Sequence, residues 1–258
     1  MFYMPLMPKL LPLTLLIASI YCQPVFADGL TGDVGGGVAF ETREPTASRY
    51  VTRPVPYFDL TWGDVDLASD DGLAWHALRN GALSVGPYVN YLPGRSSEGP
   101  LNGMHDVHDM ADTGLFVEYA PQPWVRVFAR LGEAIGSAGK QGGTLAQVGG
   151  ELDYPLGNKA FGSTQLVAHY ADQRLTQTFF GVDPQESQAT GISAYHASGG
   201  WQNVTLSQGG EYSLDDHWKL LGGVSWIHLA GSAADSSIVQ EKGHVNQGMV
   251  QTAVSYHF

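Results

Sequence analysis

The stretch N-Q-G-M-V-Q-T-A-V-S-Y-H-F, residues 246–258, ends the chain. Its side chains alternate, with Val250, Val254, Tyr256 and Phe258 on one face and Gln247, Gln251, Ser255 and His257 on the other. A two-residue period is typical of a β-strand whose faces meet different surroundings. A final strand that ends on an aromatic residue indicates the closing strand of an outer-membrane β-barrel, which has lipid outside and a polar lumen inside.

The opposite end of the chain predicts export. An apolar run from Leu10 to Ile20 follows a lysine, and small residues up to Ala27 suit a signal peptidase, so residues 1–27 are expected to be a cleaved signal peptide. The run is shorter than the roughly 20 residues that a membrane-spanning helix needs. Because Cys22 lies within the signal, the mature chain of residues 28–258 has no cysteine and is expected to form no disulfide.

The composition agrees with an exported membrane protein. Charged residues make up 15% of the chain, against roughly 25% in soluble domains. The formal charge of −12 repels phosphate backbones, so nucleic acid is not an expected partner. No segment after the signal is long and apolar enough for a spanning helix, and a barrel is then the way to satisfy backbone hydrogen bonds in lipid.

The pattern predicts an all-β fold: a transmembrane, antiparallel, up-and-down β-barrel of twelve strands. Strands are expected at residues 30–41, 53–62, 65–69, 73–78, 82–92, 112–120, 124–132, 143–153, 160–171, 199–212, 217–230 and 246–258. The alternative is ten strands, if the two weakest segments are loops. A soluble β-sandwich is the competing fold, because its sheets also alternate.

The connections between these strands alternate in length. Long segments such as 93–111 and 172–198 follow odd-numbered strands, and tight turns rich in Gly, Pro, Asn and Asp follow even-numbered ones. Barrels of the outer membrane have long extracellular loops and short periplasmic turns, so twelve strands with both termini in the periplasm satisfy the pattern. A helical turn expected within 184–194 could fold into the barrel mouth.

Charged side chains are expected to face the lumen. Val125 and Val127 point to one side of their strand, while Arg126 and Arg130 point to the other. An Arg or Lys facing lipid costs roughly 2–4 kcal/mol near the bilayer centre. The same argument predicts a lumen lined by Asp59, Glu118, Arg126, Arg130, Glu151 and Lys219. Their mixed signs favour ion pairs over a selectivity ring of one sign.

No catalytic residue, cofactor or metal site is expected. The sharpest metal-like motif is His105-Asp106-Val107-His108-Asp109, because imidazoles and carboxylates bind divalent cations. It lies in a long loop with no strand to hold the ligands, so a solvated acidic loop is the preferred interpretation. Some hydrolases are built on outer-membrane barrels, but we find no G-x-S-x-G elbow and no Ser–His–acid set on one rim.

Two C-terminal segments carry a family resemblance. The first is F-F-G-V-D-P at 179–184, followed by Ser187, Gly191 and Tyr195; the second is A-A-D-S-S-I-V at 233–239, followed by Gly243, Asn246, Gln247 and the terminal Y-H-F. They are similar to the F-G-V-x-P…S-G-x-x-x-Y segment and the A-A-D-S-P-I-V…G…N-Q…Y-x-F ending of the MipA/OmpV family (MltA-interacting protein). Ser237 stands where that family usually has Pro, which should alter only a loop.

The resemblance implies a scaffold in the outer membrane. The named member is understood to bring a lytic transglycosylase together with a bifunctional penicillin-binding protein, which links murein cutting to murein synthesis. Besides outer-membrane lipids, such a barrel could contact these partners only through its periplasmic side, whose polar turn residues are Asp64, Asn158, Lys159, Asp215 and Asp216. The alternatives are a porin-like channel for small solutes and an adhesin that acts through its extracellular loops.

Overall fold

The computed structural model describes residues 29–42, 50–136 and 141–258, so the expected signal peptide lies outside the described residues. The strands are β1 (Leu30–Thr42), β2 (Tyr50–Trp62), β3 (Val65–Ala68), β4 (Gly72–Trp75), β5 (Leu78–Asn80), β6 (Leu83–Leu92), β7 (Met110–Gln122), β8 (Val125–Gly136), β9 (Gly142–Pro155), β10 (Ala160–Ala171), β11 (Gly200–Ser213), β12 (Trp218–Leu229) and β13 (Asn246–His257). The helices are α1 (Gln173–Phe180), α2 (Pro184–Thr190), α3 (Gly231–Ala234) and α4 (Ser237–Lys242).

The strands form one closed antiparallel barrel. Strands β6 to β13 pair in chain order, β13 pairs with β1, and β1 to β4 continue the wall until β4 meets β6. β4 and β5 are two parts of one wall strand, because both pair with β6: Ala74 with Tyr88, and Leu78 with Val85. The wall therefore has twelve strands, and the prediction from the alternating connections is confirmed.

The strand expected at 73–78 is interrupted at His76 and Ala77. The carbonyl oxygen of Trp75 lies so close to Gly86 of β6 that any Cβ at Gly86 would overlap it. The chain turns sharply there, and Ala77 N donates a hydrogen bond to the Trp75 carbonyl (2.9 Å). One residue is thereby added to the strand, as in a β-bulge. The outward-facing side chains are therefore at odd positions before the break (Leu73 and Trp75) and at an even position after it (Leu78).

The two faces of the wall differ as the terminal stretch predicts. Val250 and Val254 of β13 are exposed, whereas Gln247 and Ser255 on its opposite face are buried. Exposed aromatic residues occur at both rims of the outer face: Trp62, Trp124, Trp218 and Tyr256 at one, and Tyr50, Tyr91, Trp201 and Trp226 at the other. An apolar belt between aromatic rims is the surface that a bilayer requires.

One part of the barrel wall is built from strands much shorter than their neighbour. β3 and β4 have four residues each, while β2 beside them has thirteen. Ser69 closes this pairing: its Oγ accepts from Phe58 N (2.7 Å) and its N donates to Phe58 O (2.9 Å). Among the described residues, no strand pairs with 50–57 on the side away from β1. The direction of the backbone nitrogen repeats every two residues along a strand, so the nitrogens of Pro54 and Pro56 point to the same side as that of Phe58. This is the unpaired side, and proline has no N–H that would need a partner there.

Three loop segments at the other end of the barrel form what we call the lid, residues 93–109, 172–199 and 230–245. Its buried apolar core joins Phe179 and Phe180 of α1, Val239 of α4, and strand-end residues that include Met110 and Leu229. This core covers the mouth above β7 to β12. The helical turn expected within 184–194 is confirmed as α2. Among the described residues, no helix has the length and apolar character needed to cross a membrane.

Candidate functional site

Arg126 is the centre of an ion-pair network inside the barrel. Its guanidinium contacts Glu151 on β9 (2.5 Å), Asp71 (3.2 Å) and Glu118 on β7 (3.4 Å). Arg130, further along the same face of β8, contacts Asp71 at 2.7 Å. Asp71 lies in the β3–β4 turn, and β6 and β7 separate β4 from β8 in the sheet, so these contacts reach past two strands on one side of the lumen. They tie the short hairpin to β8.

Aromatic rings complete this layer of the lumen. The Arg126 guanidinium lies 5.2 Å from the centroid of the Phe128 ring, and that of Arg130 lies 5.2 Å from the Tyr88 ring. The Tyr88 hydroxyl donates to Asp112 (2.9 Å). Cation–π contacts of this kind add to the ion pairs. Side chains of β6 to β9 and of the β3–β4 turn therefore fill one side of the lumen at this level.

A second charged cluster lies nearer the periplasmic end. Lys219 Nζ contacts Asp33 (3.1 Å) and Glu211 (3.6 Å), and His257 Nδ1 lies 3.4 Å from Asp33. Asp59 stands directly opposite Asp33 in the register of β1 and β2. The alternation in the sequence predicts Lys219 and Asp59 in the lumen but does not predict Asp33 and Glu211 there. Glycines surround Asp33, so no alternation of side chains marked its inward direction.

The break between β4 and β5 brings a histidine, a serine and an aspartate together. His76 Nδ1 lies 2.5 Å from Ser84 Oγ, and its Nε2 lies 2.7 Å from Asp66 Oδ2. The expectation that no Ser–His–acid set shares a rim is therefore corrected. A catalytic serine must reach a substrate carbonyl, and Ser84 is only 8% exposed. We interpret the set as a clamp that holds the interrupted strand to β3 and β6.

Four of the five polar turn residues lie in two adjacent turns, at the end of the barrel that the sequence predicts to face the periplasm. Lys159 Nζ donates to the carbonyl of Leu214 (3.3 Å), which joins the β9–β10 turn to the β11–β12 turn. Asn158 and Asp216 are exposed in these turns. Asp215 accepts hydrogen bonds from two backbone amides of its own turn, which hold the pKa of its carboxyl below the ordinary value. We call residues 156–159 and 214–217 the turn patch.

The fifth residue, Asp64, lies apart from the turn patch. It is in the β2–β3 turn, on another part of the rim, where its carboxylate contacts Arg79 at 3.3 Å. Both partners are about half exposed or more, so the pair adds little stability. The five polar turn residues are thus divided between the turn patch, which holds four of them, and the separate position of Asp64.

The His-rich motif of the lid is spread out. Asp106 and Asp109 accept hydrogen bonds from the backbone amides of Ser97 (2.7 Å) and Gly94 (2.8 Å), which lower the pKa of both carboxyls. These contacts fold the loop back on itself, while both carboxylates stay exposed to solvent, as expected of an acidic loop. The His105 side chain contacts the start of α2.

The sequence profile of the family described as MltA-interacting protein MipA matches residues 34–258. The chain belongs to the MipA family. The match extends from β1 to the last residue, and with the barrel it identifies this MipA-family chain as a protein of the Gram-negative outer membrane. Comparison with individually curated proteins finds no match.

Solved outer-membrane barrels are similar in fold to this MipA-family chain. OmpT of Vibrio cholerae is 8% identical, with 89% of this chain and 98% of that chain covered and a TM-score of 0.38. OprG of Pseudomonas aeruginosa is 15% identical, with 89% and 96% covered and a TM-score of 0.30. An anion-selective porin of Comamonas acidovorans is 8% identical, with 89% and 98% covered and a TM-score of 0.39.

Proposed function

We propose that this barrel is a non-enzymatic scaffold that holds a murein hydrolase and a murein synthase at the periplasmic face of the outer membrane. The observation that carries the proposal is the family match over residues 34–258, since the family is described by its interaction with MltA. As in the family resemblance, the expected partners are a lytic transglycosylase and a penicillin-binding protein.

The interior of the barrel favours this role over that of a wide pore. The Arg126 network narrows the lumen from one side, and the apolar core of the lid covers the mouth above β7 to β12. An open pore needs a continuous water-filled path, as in large porins. A barrel with both features is better suited to anchor something in the membrane than to conduct small solutes.

The turn patch is the proposed docking surface. It is exposed, it is held together by the bond from Lys159 to Leu214, and its charged groups include Asp215 and Asp216. Two short turns offer a small area, so the complex should be weak or transient. That property suits a scaffold whose enzymes must engage and release.

In-cell photo-crosslinking tests the proposal. A photoreactive residue is introduced at Asn158 or at Asp216, and the captured proteins are identified by mass spectrometry. We expect both positions to capture a murein hydrolase or a murein synthase. The matched control is Asn102, which is exposed but lies in the lid at the other end of the barrel, and it should capture neither.

The outcome that contradicts the scaffold is specific. If both turn-patch positions capture only assembly factors and abundant lipoproteins, the chain does not dock murein enzymes there. Conductance of the purified barrel in a planar bilayer then decides for the pore, and cell-surface binding after deletion of a lid loop decides for the adhesin.

A further inference from the structure

Two lid loops meet at a group of three metal-ligating side chains. His105 comes from residues 93–109, while Asp183 and Glu186 come from the start of α2. Nδ1 of His105 lies 2.9 Å from Glu186 Oε1 and 3.9 Å from Asp183 Oδ2. One atom from each residue lies within 4.8 Å of the other two. The residues are about eighty positions apart in the chain, so only the folded lid assembles them.

These distances fit a small tetrahedral ion. Zinc binds imidazole nitrogen and carboxylate oxygen at roughly 2.0–2.2 Å, so two ligand atoms of a tetrahedral site lie roughly 3.4 Å apart. The two measured separations, 2.9 and 3.9 Å, lie on either side of that value. Shifts of about half an ångström in each would bring them to it. A set with one imidazole favours zinc over calcium, which prefers oxygen ligands alone.

Backbone contacts hold both carboxylates in position. Asp183 caps α2 through Oδ1, which accepts the amides of Gln185 (2.8 Å) and Glu186 (2.7 Å). Glu186 is only 7% exposed, and its Oε2 accepts the amide of Asp183 (2.9 Å). This reciprocal capping box fixes the carboxylates before any ion binds. Asp183 Oδ2, the atom closer to His105, takes no part in the cap.

Charge and space are also suitable. A carboxylate only accepts, so His105 Nδ1 carries the proton in the bond to Glu186. Coordination through Nδ1 requires the tautomer that carries this proton on Nε2, so the imidazole stays neutral and the two carboxylates balance a divalent ion. A cavity of about 190 Å³ adjoins the three residues and has room for water ligands. Arg95 also lines it, with its guanidinium bonded to the His105 carbonyl (3.3 Å) and to Met104 Sδ (3.7 Å).

We propose that His105, Asp183 and Glu186 bind one zinc ion, which fastens loop 93–109 to α2 and closes the lid. The site has three protein ligands and a fourth position for water. It revises the expectation of no metal site, because the ligands come from His105 and the distant start of α2 rather than from the His-rich motif alone. The proposal is independent of the scaffold role, since the lid and the turn patch are at opposite ends of the barrel.

Direct metal binding tests the site. The full barrel is purified in detergent, stripped with a chelator, equilibrated with zinc and analysed by calorimetry and elemental mass spectrometry. We expect one equivalent of zinc that excess calcium does not displace. His105→Gln should weaken binding by more than the roughly 10–100-fold that follows loss of a supporting partner, because a ligand itself is removed. Asp183→Asn should also weaken it while keeping α2 capped, since Asn is an equally good cap.

His108→Gln is the matched control, because His108 belongs to the same motif but not to the three-residue group. It should bind zinc as the unaltered barrel does. Absence of a stoichiometric zinc site in the unaltered protein overturns the proposal, and so does retention of full affinity by His105→Gln. Heat-modifiable mobility on a gel shows that each variant barrel is folded, so loss of binding cannot be mistaken for loss of structure.

Discussion

At the scale of single residues, Arg126 shows why a barrel can keep charges inside the membrane. A lone guanidinium in low dielectric carries a large desolvation penalty, and partners must offset it. Arg126 has three carboxylate partners, from two neighbouring strands and from the β3–β4 turn. Alternation in the sequence predicts Glu118 and Glu151 among them. It could not predict Asp71, whose place depends on how far the hairpin reaches into the lumen.

Replacing Arg126 with Leu should lower the free energy of unfolding by about 3 kcal/mol, because the carboxylates that remain are partly buried and lose their counter-charge. Urea unfolding of the barrel in lipid vesicles measures the change. Arg79→Leu is the control: its pair with Asp64 lies at the rim and is exposed, so the loss should stay below about 1 kcal/mol. Equal losses in the two variants would contradict a central role for Arg126.

At the scale of elements, the β3–β4 hairpin departs most from a regular barrel. Its strands are about a third as long as β2, and in the part of the chain that the structure describes no strand pairs with this edge of residues 50–57. An edge with free N–H groups invites pairing with other chains, and proline is one of the residues that prevent it. Pro54 and Pro56 lie four and two residues before Phe58, at positions whose backbone nitrogens face this edge. They make a short hairpin tolerable beside a long strand.

The double substitution Pro54→Thr and Pro56→Thr should therefore destabilise the barrel. It adds two N–H donors to an edge that has no strand partner among the described residues, and a backbone donor left unsatisfied at membrane depth costs several kcal/mol. Unfolding in lipid vesicles should show a loss of about 2 kcal/mol or more. Pro123→Thr, in a periplasmic turn, serves as the control and should change stability far less. Unchanged stability of the double variant would mean that other groups already cover the edge.

At the scale of the whole molecule, the lid and the Arg126 network both narrow the path of a solute through the barrel. The apolar core of the lid packs against the ends of six strands, so closing the mouth also stabilises the wall. Phe179 is 9% exposed in this core. The lid and the network are built from different residues, and they lie at different heights along the barrel axis. The proposed scaffold role at the periplasmic rim needs neither of them to open.

Phe179→Ala should loosen the lid and raise conductance in planar bilayers above the low level expected of the unaltered barrel. The lost packing should cost roughly 3–5 kcal/mol, as for other buried Phe residues. Phe161→Ala is the control, because Phe161 is exposed on β10 and plays no part in the lid. A large steady conductance in the unaltered protein would contradict the closed mouth.

Local pattern determined the barrel, its strand number and the direction of most side chains. The two-residue period and the length of each connection can be read from consecutive residues. Because lipid lies outside the barrel, the apolar face of each strand must point outward and the charged face inward. The placement of Arg126 and Lys219 opposite apolar neighbours followed from that alone. In the sequence, the break at His76 is visible only as a shift of the outward apolar residues from odd positions (Leu73 and Trp75) to an even one (Leu78).

Tertiary structure alone decided which distant groups meet. Asp71 reaches Arg126 because the hairpin is short, and Lys159 joins two turns because β10 pairs with β11. His105 meets Glu186 because two long loops pack over one mouth. Such contacts depend on closure of the wall and on the path of each loop, neither of which any local stretch of the sequence encodes. The barrel could thus be derived from periodicity, whereas the lid, the joining of the two turns and the group of His105, Asp183 and Glu186 required the folded chain.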